Sequence, residues 1–206
     1  KAGKSQFNLQ TLPADDFPQL ALSDELVSEI SLSQSMLKQL FNQAQYAMAQ
    51  QDIRYYLNGL LMVLEPGVVK VVATDGHRLS LASMGTESVS QSSEAILPRK
   101  TVTELIKLLG DTEDEVKIRL GKNLVTFSFG NINLVSKVIE GKFPDFNKVI
   151  PSHYENHVVI DRLTLLHAMQ RASILSNEKF RGVRMVLTQN SMRVICNNTE
   201  QEEAEE

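Results

Sequence analysis

The sequence predicts an α+β fold in which a strand, a helix and three strands recur along the chain. Two observations support this prediction. Segments with apolar residues at helical spacing alternate with β-rich segments that are divided by turn dipeptides. The first and third rounds of this pattern also match each other in sequence, which indicates an internal repeat. Helices packed on one face of antiparallel sheets would satisfy both observations.

The first round opens with an amphipathic helix, and Ser33 stands in its N-cap position. Its apolar residues recur at intervals of three and four: Met36, Leu37, Leu40, Phe41, Ala44, Ala47 and Met48. Three strands are predicted after it, at 55–64, 68–74 and 77–84. The dipeptides Pro66-Gly67 and Asp75-Gly76 separate these strands and favour hairpin turns.

The later rounds repeat this order. A strand at 95–97 precedes a helix that Gly110 is predicted to cap, and strands at 116–120, 124–129 and 132–138 follow. The third round has a strand at 158–160, Asp161 as N-cap, and a helix with Leu163, Leu165, Leu166 and Met169. Its two predicted strands are 183–187 and 192–196.

The first and third rounds align without gaps inside their hairpins. Residues 59–64 match 182–187 at a shift of 123, and the helices match at a shift of 128, with Ser33 on Asp161. One unit is therefore two rounds, roughly 125 residues. We predict that residues 1–30 end a preceding domain, that 31–155 form a complete domain, and that 156–206 begin a third one. The third copy is expected to lack the last strand of its first round.

The charge is unevenly distributed. The 206 residues carry 21 Lys+Arg against 25 Asp+Glu, a net charge of -4 that argues against a simple basic DNA-binding module. However, residues 31–51 contain no acid, whereas five acids fall within residues 200–206. The neutral-to-positive helices are explained either by chance in small counts or by a helical layer that faces a polyanion. The acidic run, taken alone, is typical of a solvated, disordered tail.

Several classes of site are not supported. Cys196 has no internal disulfide partner, which fits the cytoplasm, and the four histidines have no metal-ligand spacing, so we expect no metal and no cofactor. No membrane span or nucleotide-binding motif is present in the sequence. Asp75, His77 and Arg78 form either an acid/base cluster or an ordinary Asp-Gly turn. Tyr55 and Tyr56 are either plain strand aromatics or a stacking and phosphate-contact site.

Six motifs carry a resemblance to a known family. They are RYYLNG at 54–59, TDGHRL at 74–79, PRK at 98–100, FPDF at 143–146, ILSNEKFRGVR at 174–184 and EQEEAEE at 200–206. Together they resemble the β subunit of bacterial replicative DNA polymerase, the sliding-clamp family, over essentially the whole chain. The resemblance implies the DNA clamp fold, with two head-to-tail protomers that close a ring, helices that line its hole and sheets on the outside.

The resemblance also implies the function. Such a ring is noncatalytic: it encircles double-stranded DNA without sequence preference and gives the replicative polymerase its processivity. DNA polymerase subunits, the clamp loader and repair proteins would bind it through short linear peptides. A nearly neutral helical lining suits sliding, because strong phosphate contacts would hold the ring in place.

Site residues follow from the resemblance, position by position. The implied peptide pocket is Leu57, Thr74, Gly76, His77, Arg78, Leu79, Pro144, Lys148, Val149 and Phe180. The implied DNA contacts are Gln51, Arg54, Tyr55, Tyr56, Arg99 and Lys100. The implied homodimer interface is Phe7, Leu9, Ile174, Leu175, Glu200, Glu202, Glu203 and Glu206. Lys148 replaces the usual Arg of the family, which removes planar, bidentate contacts.

Two other functions compete with the clamp. The same repeat could serve as a peptide-binding adaptor that does not encircle DNA. A hydrolase that uses Asp75 and His77 is the third hypothesis, and it requires turnover that His77→Ala abolishes.

Overall fold

The computed structural model describes residues 3–17, 25–153, 155–176, 182–198 and 202–206. The chain divides into two compact units, Lys1–Val149 and Ile150–Glu206. Each unit has its own core, and each is described by itself. Among the described residues, no helix is both long and apolar enough to cross a membrane.

The first unit contains two α-helices and eight strands in its described part, together with short 3-10 helices. In chain order they are β1 Leu26–Ser33, α1 Gln34–Ala44, β2 Gly59–Glu65, β3 Val68–Thr74, β4 Leu79–Gly85, β5 Ser93–Pro98, α2 Arg99–Leu108, β6 Glu115–Gly121, β7 Leu124–Phe129 and β8 Ile132–Lys137. The predicted strand–helix–three-strand order is therefore present twice. The α+β class is confirmed.

The strands form two antiparallel sheets that exchange one strand. The orders are β4-β3-β2-β5 and β1-β6-β7-β8. The strand that leads each round thus pairs with the hairpins of the other round: β1 pairs with β6, and β5 pairs with β2. Neither round is a closed unit alone, since each sheet takes its fourth strand from the other round.

One hydrophobic core joins both helices to the inner faces of both sheets. Leu37, Leu40 and Phe41 of α1 are fully buried in it, as are Val102 and Leu105 of α2. Apolar residues at helical spacing form this face of α1 because positions three and four apart lie on one side of a helix. Both helices consequently present their polar faces away from the sheets.

The sheet β4-β3-β2-β5 is also covered on its outer face. There a second cluster holds Leu57, Leu61, Val72, Ile96 and Phe143, and Ile139 and Phe146 pack against it. Part of this cover is the segment that follows β8, which bridges to β5 through Ile96 and Ile139, and part is the segment before β2 that contains Leu57. Strand β2 is therefore buried on both faces, whereas β6 alternates between buried and exposed residues.

Local sequence signals explain the ends of these elements. The Ser33 hydroxyl accepts a hydrogen bond from the Met36 amide at 3.3 Å, as predicted for an N-cap. The hairpin between β2 and β3 turns at Pro66-Gly67, where Gly67 has φ +82°. Gly59 allows β2 to approach β5 closely, because a Cβ at this position would lie 2.4 Å from the carbonyl oxygen of Leu97.

The second unit consists of one helix and one sheet in its described part. The elements are α3 Arg162–Ala172, β9 Arg184–Thr188, β10 Ser191–Asn197 and β11 Glu203–Glu205, with sheet order β11-β10-β9. Asp161 caps α3 by accepting the Thr164 amide at 2.8 Å. The small core contains Ala172, Val194 and Cys196, as expected for a buried structural cysteine.

Four sequence-based predictions were wrong. Residues Tyr55–Leu57 form a 3-10 turn, and β2 begins only at Gly59. Gly110 does not adopt the left-handed cap conformation, and its amide donates to Gln34 instead, at 2.9 Å. The segment 158–160 forms no strand. The acidic run is not a disordered tail in its described part, since Glu203–Glu205 form β11, the beginning of the strand expected to be missing.

Candidate functional site

The turn between β3 and β4 is built around Asp75. One carboxylate oxygen accepts the amides of His77 and Arg78, both at 3.0 Å, and the other accepts Arg78 Nε at 3.2 Å. Partial burial opposes ionisation of Asp75, but these hydrogen bonds and the charge of Arg78 leave its pKa below the ordinary value. Asp75 therefore acts as a structural acceptor in the turn, which does not favour the acid/base interpretation.

Arg78 connects this turn to the end of α1. Its guanidinium donates to the carbonyl oxygen of Tyr46 at 2.8 Å and lies over the Tyr46 ring, 5.4 Å from the centroid. Thr74 closes the turn from the other side, where its hydroxyl donates to the Arg78 carbonyl at 2.7 Å. The resulting turn has a fixed conformation and leaves His77 exposed to solvent.

The neighbouring loop, residues 50–57, is closed by Asn58 and Asp52. The Asn58 amide group donates to the backbone carbonyl of Asp52 and accepts its backbone N–H, both at 2.9 Å. The Asp52 carboxylate binds the Arg54 guanidinium in a bidentate pair, at 3.0 and 2.8 Å. This side-chain pairing is the largest cause that lowers the pKa of Asp52 to about 2.

Arg54 links the loop to the turn. Its guanidinium lies over Gly76, where an added Cβ would be 3.0 Å from Nη2, and it donates to the Asp75 carbonyl at 3.4 Å. Gly76 has φ +87°, so both its backbone and its surroundings favour glycine. A cavity of about 300 Å³ opens between the loop and the turn, and Tyr46, Asp52 and Arg99 are among its lining residues.

The predicted pocket residues differ in their exposure to solvent. Leu57 is buried beneath the surface, Thr74 and Leu79 are half-buried, and Gly76, His77, Arg78, Pro144, Lys148 and Val149 are exposed. Lys148 pairs with Asp145 at 3.2 Å on the same 3-10 turn. Phe180 lies outside the described residues. Leu79 and Val149 thus present accessible apolar surface, whereas Leu57 is buried and does not contribute to that surface.

The predicted DNA contacts also differ in accessibility. Gln51, Arg54 and Tyr55 are exposed, and Tyr56 is half-buried against the second cluster. The two tyrosine rings meet edge to face, 5.9 Å apart. Arg99 is half-buried and donates to the carbonyl oxygen of Met48 at 3.0 Å, and Lys100 is exposed.

The exposed face of the helical layer is nearly free of acids. On α1 it presents Gln39, Asn42 and Gln43. On α2, Glu104 is paired with Lys107 at 3.0 Å. A face with such neutral and basic groups attracts a polyanion weakly.

The predicted interface residues lie in different surroundings. Phe7, Leu9 and Ile174 are strongly exposed, and Leu175 is half-buried. Glu203 is exposed on β11, and Glu202 bonds to Asn198. Glu206 pairs with Arg171 of its own unit at 2.6 and 2.8 Å, which lowers the Glu206 pKa. Glu200 lies outside the described residues.

Sequence reasoning missed Tyr46 and Asp52. Tyr46 follows a helix whose pattern marked only apolar positions, so its carbonyl and ring contacts with Arg78 gave no sequence signal. Asp52 stands two residues before Arg54, a spacing that allows a side-chain pair within one loop. Within the described parts of the chain, no group of three or more His, Cys, Asp or Glu residues is arranged to hold a metal ion.

Comparison with known families identifies both units. A model of the DNA polymerase III beta subunit, central domain, matches residues 31–145, and one of the C-terminal domain of the same subunit matches 147–206. The chain belongs to this family. The matched regions leave only residues 1–30 and 146 outside them, so membership rests on nearly the whole chain.

Individual relatives agree with this membership. The beta sliding clamp of Salmonella typhimurium is 43% identical over 208 residues, and that of Pseudomonas aeruginosa is 44% identical over 207. Each comparison covers 100% of this chain and 56% of the relative, so the chain spans about half the length of these proteins. A crystal structure of the DNA polymerase III subunit beta from P. aeruginosa superposes with a TM-score of 0.94, at 44% identity, over 100% of this chain and 57% of that one. Another P. aeruginosa clamp structure, bound to griselimycin, gives 0.91 at 44% identity.

Proposed function

We propose that this chain is part of a noncatalytic sliding clamp that encircles duplex DNA as a ring-shaped homodimer in the cytoplasm and gives the replicative polymerase its processivity. The observation that carries the proposal is the helical layer. Both helices of the first unit turn a face without unpaired acids away from the sheets, among the described residues. A surface of this kind suits weak, sequence-independent contact with a phosphate backbone.

The assignment of domains is also a proposal. Residues 31–155 would form the complete central domain, residues 1–30 the end of the domain before it, and residues 156–206 the start of the third. The two family matches support the order of the domains, but these matches and the division after Val149 favour a second boundary near residues 146–149 and not at 155. Strand β1 begins at Leu26, so the central domain would start a few residues earlier than residue 31.

A chimera tests the encirclement. The 206 residues would replace the matching segment of the beta sliding clamp from Escherichia coli K12, to which they are 42% identical. We expect the chimera, once loaded on a primed circle, to remain bound and to leave after the circle is linearised. Equal retention on circular and linear DNA would contradict the proposal and favour the adaptor hypothesis.

Charge reversal tests the role of the helical layer. Lys100 is exposed at the start of α2, and Lys137 is exposed at the end of β8 on the sheet side, which makes Lys137 a matched control. Lys100→Glu should weaken DNA binding of the chimera and reduce the slope of log K against log salt by about 1, whereas Lys137→Glu should leave both unchanged. Equal effects of the two variants would contradict a specific role for the helices.

We further propose that polymerase subunits, the clamp loader and repair proteins bind by a short peptide near His77, Leu79 and Val149. The exposed apolar surface at Val149, 61% accessible, and the fixed turn at Asp75 support this site. Griselimycin, which the P. aeruginosa clamp binds, provides a probe. Leu79→Asp should reduce its affinity for the chimera by about 100-fold or more, and an unchanged affinity would place binding elsewhere.

The homodimer would be formed by the implied interface residues. Phe7, Leu9 and Ile174 are exposed apolar side chains, as an interface requires before assembly. When the interface forms, the ion pair between Glu206 and Arg171 would either open or remain within its own chain.

A further inference from the structure

The two helices of the first unit, α1 and α2, form a layer with two distinct ends. The helices contact each other and run in opposite directions. Gly110, which follows α2, donates its amide to Gln34 at the start of α1. Arg99, at the start of α2, donates to the carbonyl oxygen of Met48 beyond the end of α1. The start of α1 therefore lies at one end of the layer, and the start of α2 lies at the other.

The segment 110–114 occupies the start of α1. The backbone N–H of Gln34 donates to the Asp114 carbonyl, and that of Ser35 donates to the Thr112 carbonyl, both at 2.9 Å. Amides in the first turn of a helix commonly bind phosphate because they lack partners within the helix. Here two of them already have carbonyl acceptors, so this helix start offers little to a phosphate.

The same segment neutralises a cation on α1. Lys38 is the one charged residue of that helix, and its Nζ lies 2.9 Å from Oδ1 of Asp111. The backbone on each side of Asp111 is held against α1, by the hydrogen bonds of Gly110 and Thr112. The Asp111 side chain is 84% exposed, yet its carboxylate is fixed beside the Lys38 ammonium. The positive charge of α1 is thus masked from within the chain.

The start of α2 has the opposite character. Lys100 is exposed and has no carboxylate partner among the described residues, because Glu104, four positions later, pairs with Lys107 instead. Arg99 bonds to a backbone carbonyl and keeps its full charge. The cations that a phosphate could reach without displacing a carboxylate are therefore those at the start of α2.

We propose that the segment 110–114 shields the start of α1 from DNA, and that Asp111 does so by masking Lys38. The inference rests on the proposed function, since it requires a duplex that passes along the helical layer. A phosphate at this end would have to compete with Asp111 for the ammonium group. Phosphate contact is therefore confined to the end that carries Arg99 and Lys100. Fewer simultaneous contacts release fewer counterions and leave the ring freer to slide.

Removal of the carboxylate charge tests the shield in the chimera. Asp111→Asn keeps the size of the side chain, and its exposed position should let the variant fold, because exposed ion pairs add little to stability. Binding to a linear duplex should tighten by about threefold or more at about 50 mM salt, and the slope of log K against log salt should steepen by about 0.9 for each Lys38 that reaches a phosphate. Unchanged affinity and slope would overturn the proposal.

Glu29→Gln is the matched control for net charge. Glu29 pairs with Lys117 and Arg119, both at 3.1 Å, and it alternates with the buried Ile30, which places it on the outer face of its sheet. The substitution also removes one negative charge from an ion pair, but far from the helical layer. It should leave the affinity and the slope as in the parent chimera. Equal gains in Glu29→Gln and Asp111→Asn would attribute the effect to net charge and overturn the proposal.

A double-mutant cycle tests whether Lys38 is the masked group. Lys38→Gln alone should change DNA binding little, because the ammonium is already neutralised. Lys38→Gln combined with Asp111→Asn should bind like the parent chimera, since no cation is left to unmask. A gain that persists in the double variant would overturn the assignment of Lys38.

Retention on circular DNA separates this inference from the proposed function. The Asp111→Asn chimera should, like its parent, stay on a primed circle and leave once the circle is linearised. Loss of that difference in the parent would contradict the clamp itself. A parent chimera that is retained on circles, with binding that does not respond to Asp111→Asn, would overturn the shield alone.

Discussion

The two units of this chain share one repeat, yet the first buries most of its apolar residues and the second leaves many of them exposed. In the first unit, two rounds exchange their leading strands, and residues such as Met62 become fully buried. In the second unit a single round is present among the described residues, and the matching Met185 is 43% exposed. The same apolar pattern therefore gives a large core in the first unit, where two rounds pack against each other, and a small core in the second unit.

The largest expected difference between the units comes from truncating matched methionines. Met62→Ala should destabilise the first unit by about 2 to 5 kcal/mol, because it leaves a cavity in a closed core. Met185→Ala should cost less than about 1 kcal/mol, because Met185 is 43% exposed. Native-state hydrogen exchange of the strand amides measures the free energy of unfolding of each unit separately. Equal losses would contradict the exposed position of Met185.

Two matched glycines differ between the units at the strand exchange. Gly59→Ala should destabilise the first unit by about 1 to 3 kcal/mol, since the new Cβ would lie 2.4 Å from the Leu97 carbonyl oxygen on β5. The matched Gly182 has no atom within 4 Å of an added Cβ, and its substitution should change stability by less than about 0.5 kcal/mol. The same exchange experiment measures both variants. A tolerated Gly59→Ala would mean that β5 does not pack so closely on β2.

The smallest effect concerns two arginine–carboxylate pairs, one in each unit. The Asp52 pKa of about 2 lies below the usual 3.8, so the pair with Arg54 stabilises the loop above about pH 4 and is lost as pH falls towards 2. The Glu206 pKa is lowered by Arg171 in the same direction. Carboxyl NMR titration should place the Asp52 midpoint near 2, and Asp52→Asn should remove the change in the Gly76 amide shift over that range. An Asp52 midpoint near 3.8 would contradict the bidentate pair.

Hairpin turns and the N-caps of α1 and α3 were predictable because their signals are local. Asp75-Gly76 and Pro66-Gly67 fix hairpins through the backbone conformations that glycine permits, and Ser33 and Asp161 cap helices with their own oxygens. The predicted start of β2, at residue 55, was wrong because the apolar run in the sequence extends back through Leu57. There, hydrogen bonds between Asp52 and Asn58 hold a loop, and no strand forms.

Most residues of the candidate site were predicted from sequence motifs and not from the periodicity of apolar residues. The TDGHRL and RYYLNG motifs lie side by side, and Arg54 joins them over Gly76. Sequence alone did not distinguish buried Leu57 from exposed Val149, because exposure depends on the segment after β8 that folds over the sheet. Nor did it show that Arg54 is held by Asp52, which limits its freedom to reach a phosphate.

The order of the elements, their N-caps and turns, and the repeat that relates the two units could be read from the sequence, because each element depends on residues close together in the chain. The exchange of leading strands, in contrast, is visible only in the folded chain. β1 and β6 are separated by more than 80 positions in sequence, and no local pattern states which sheet a strand will join. That exchange determines which apolar residues of the first unit are buried.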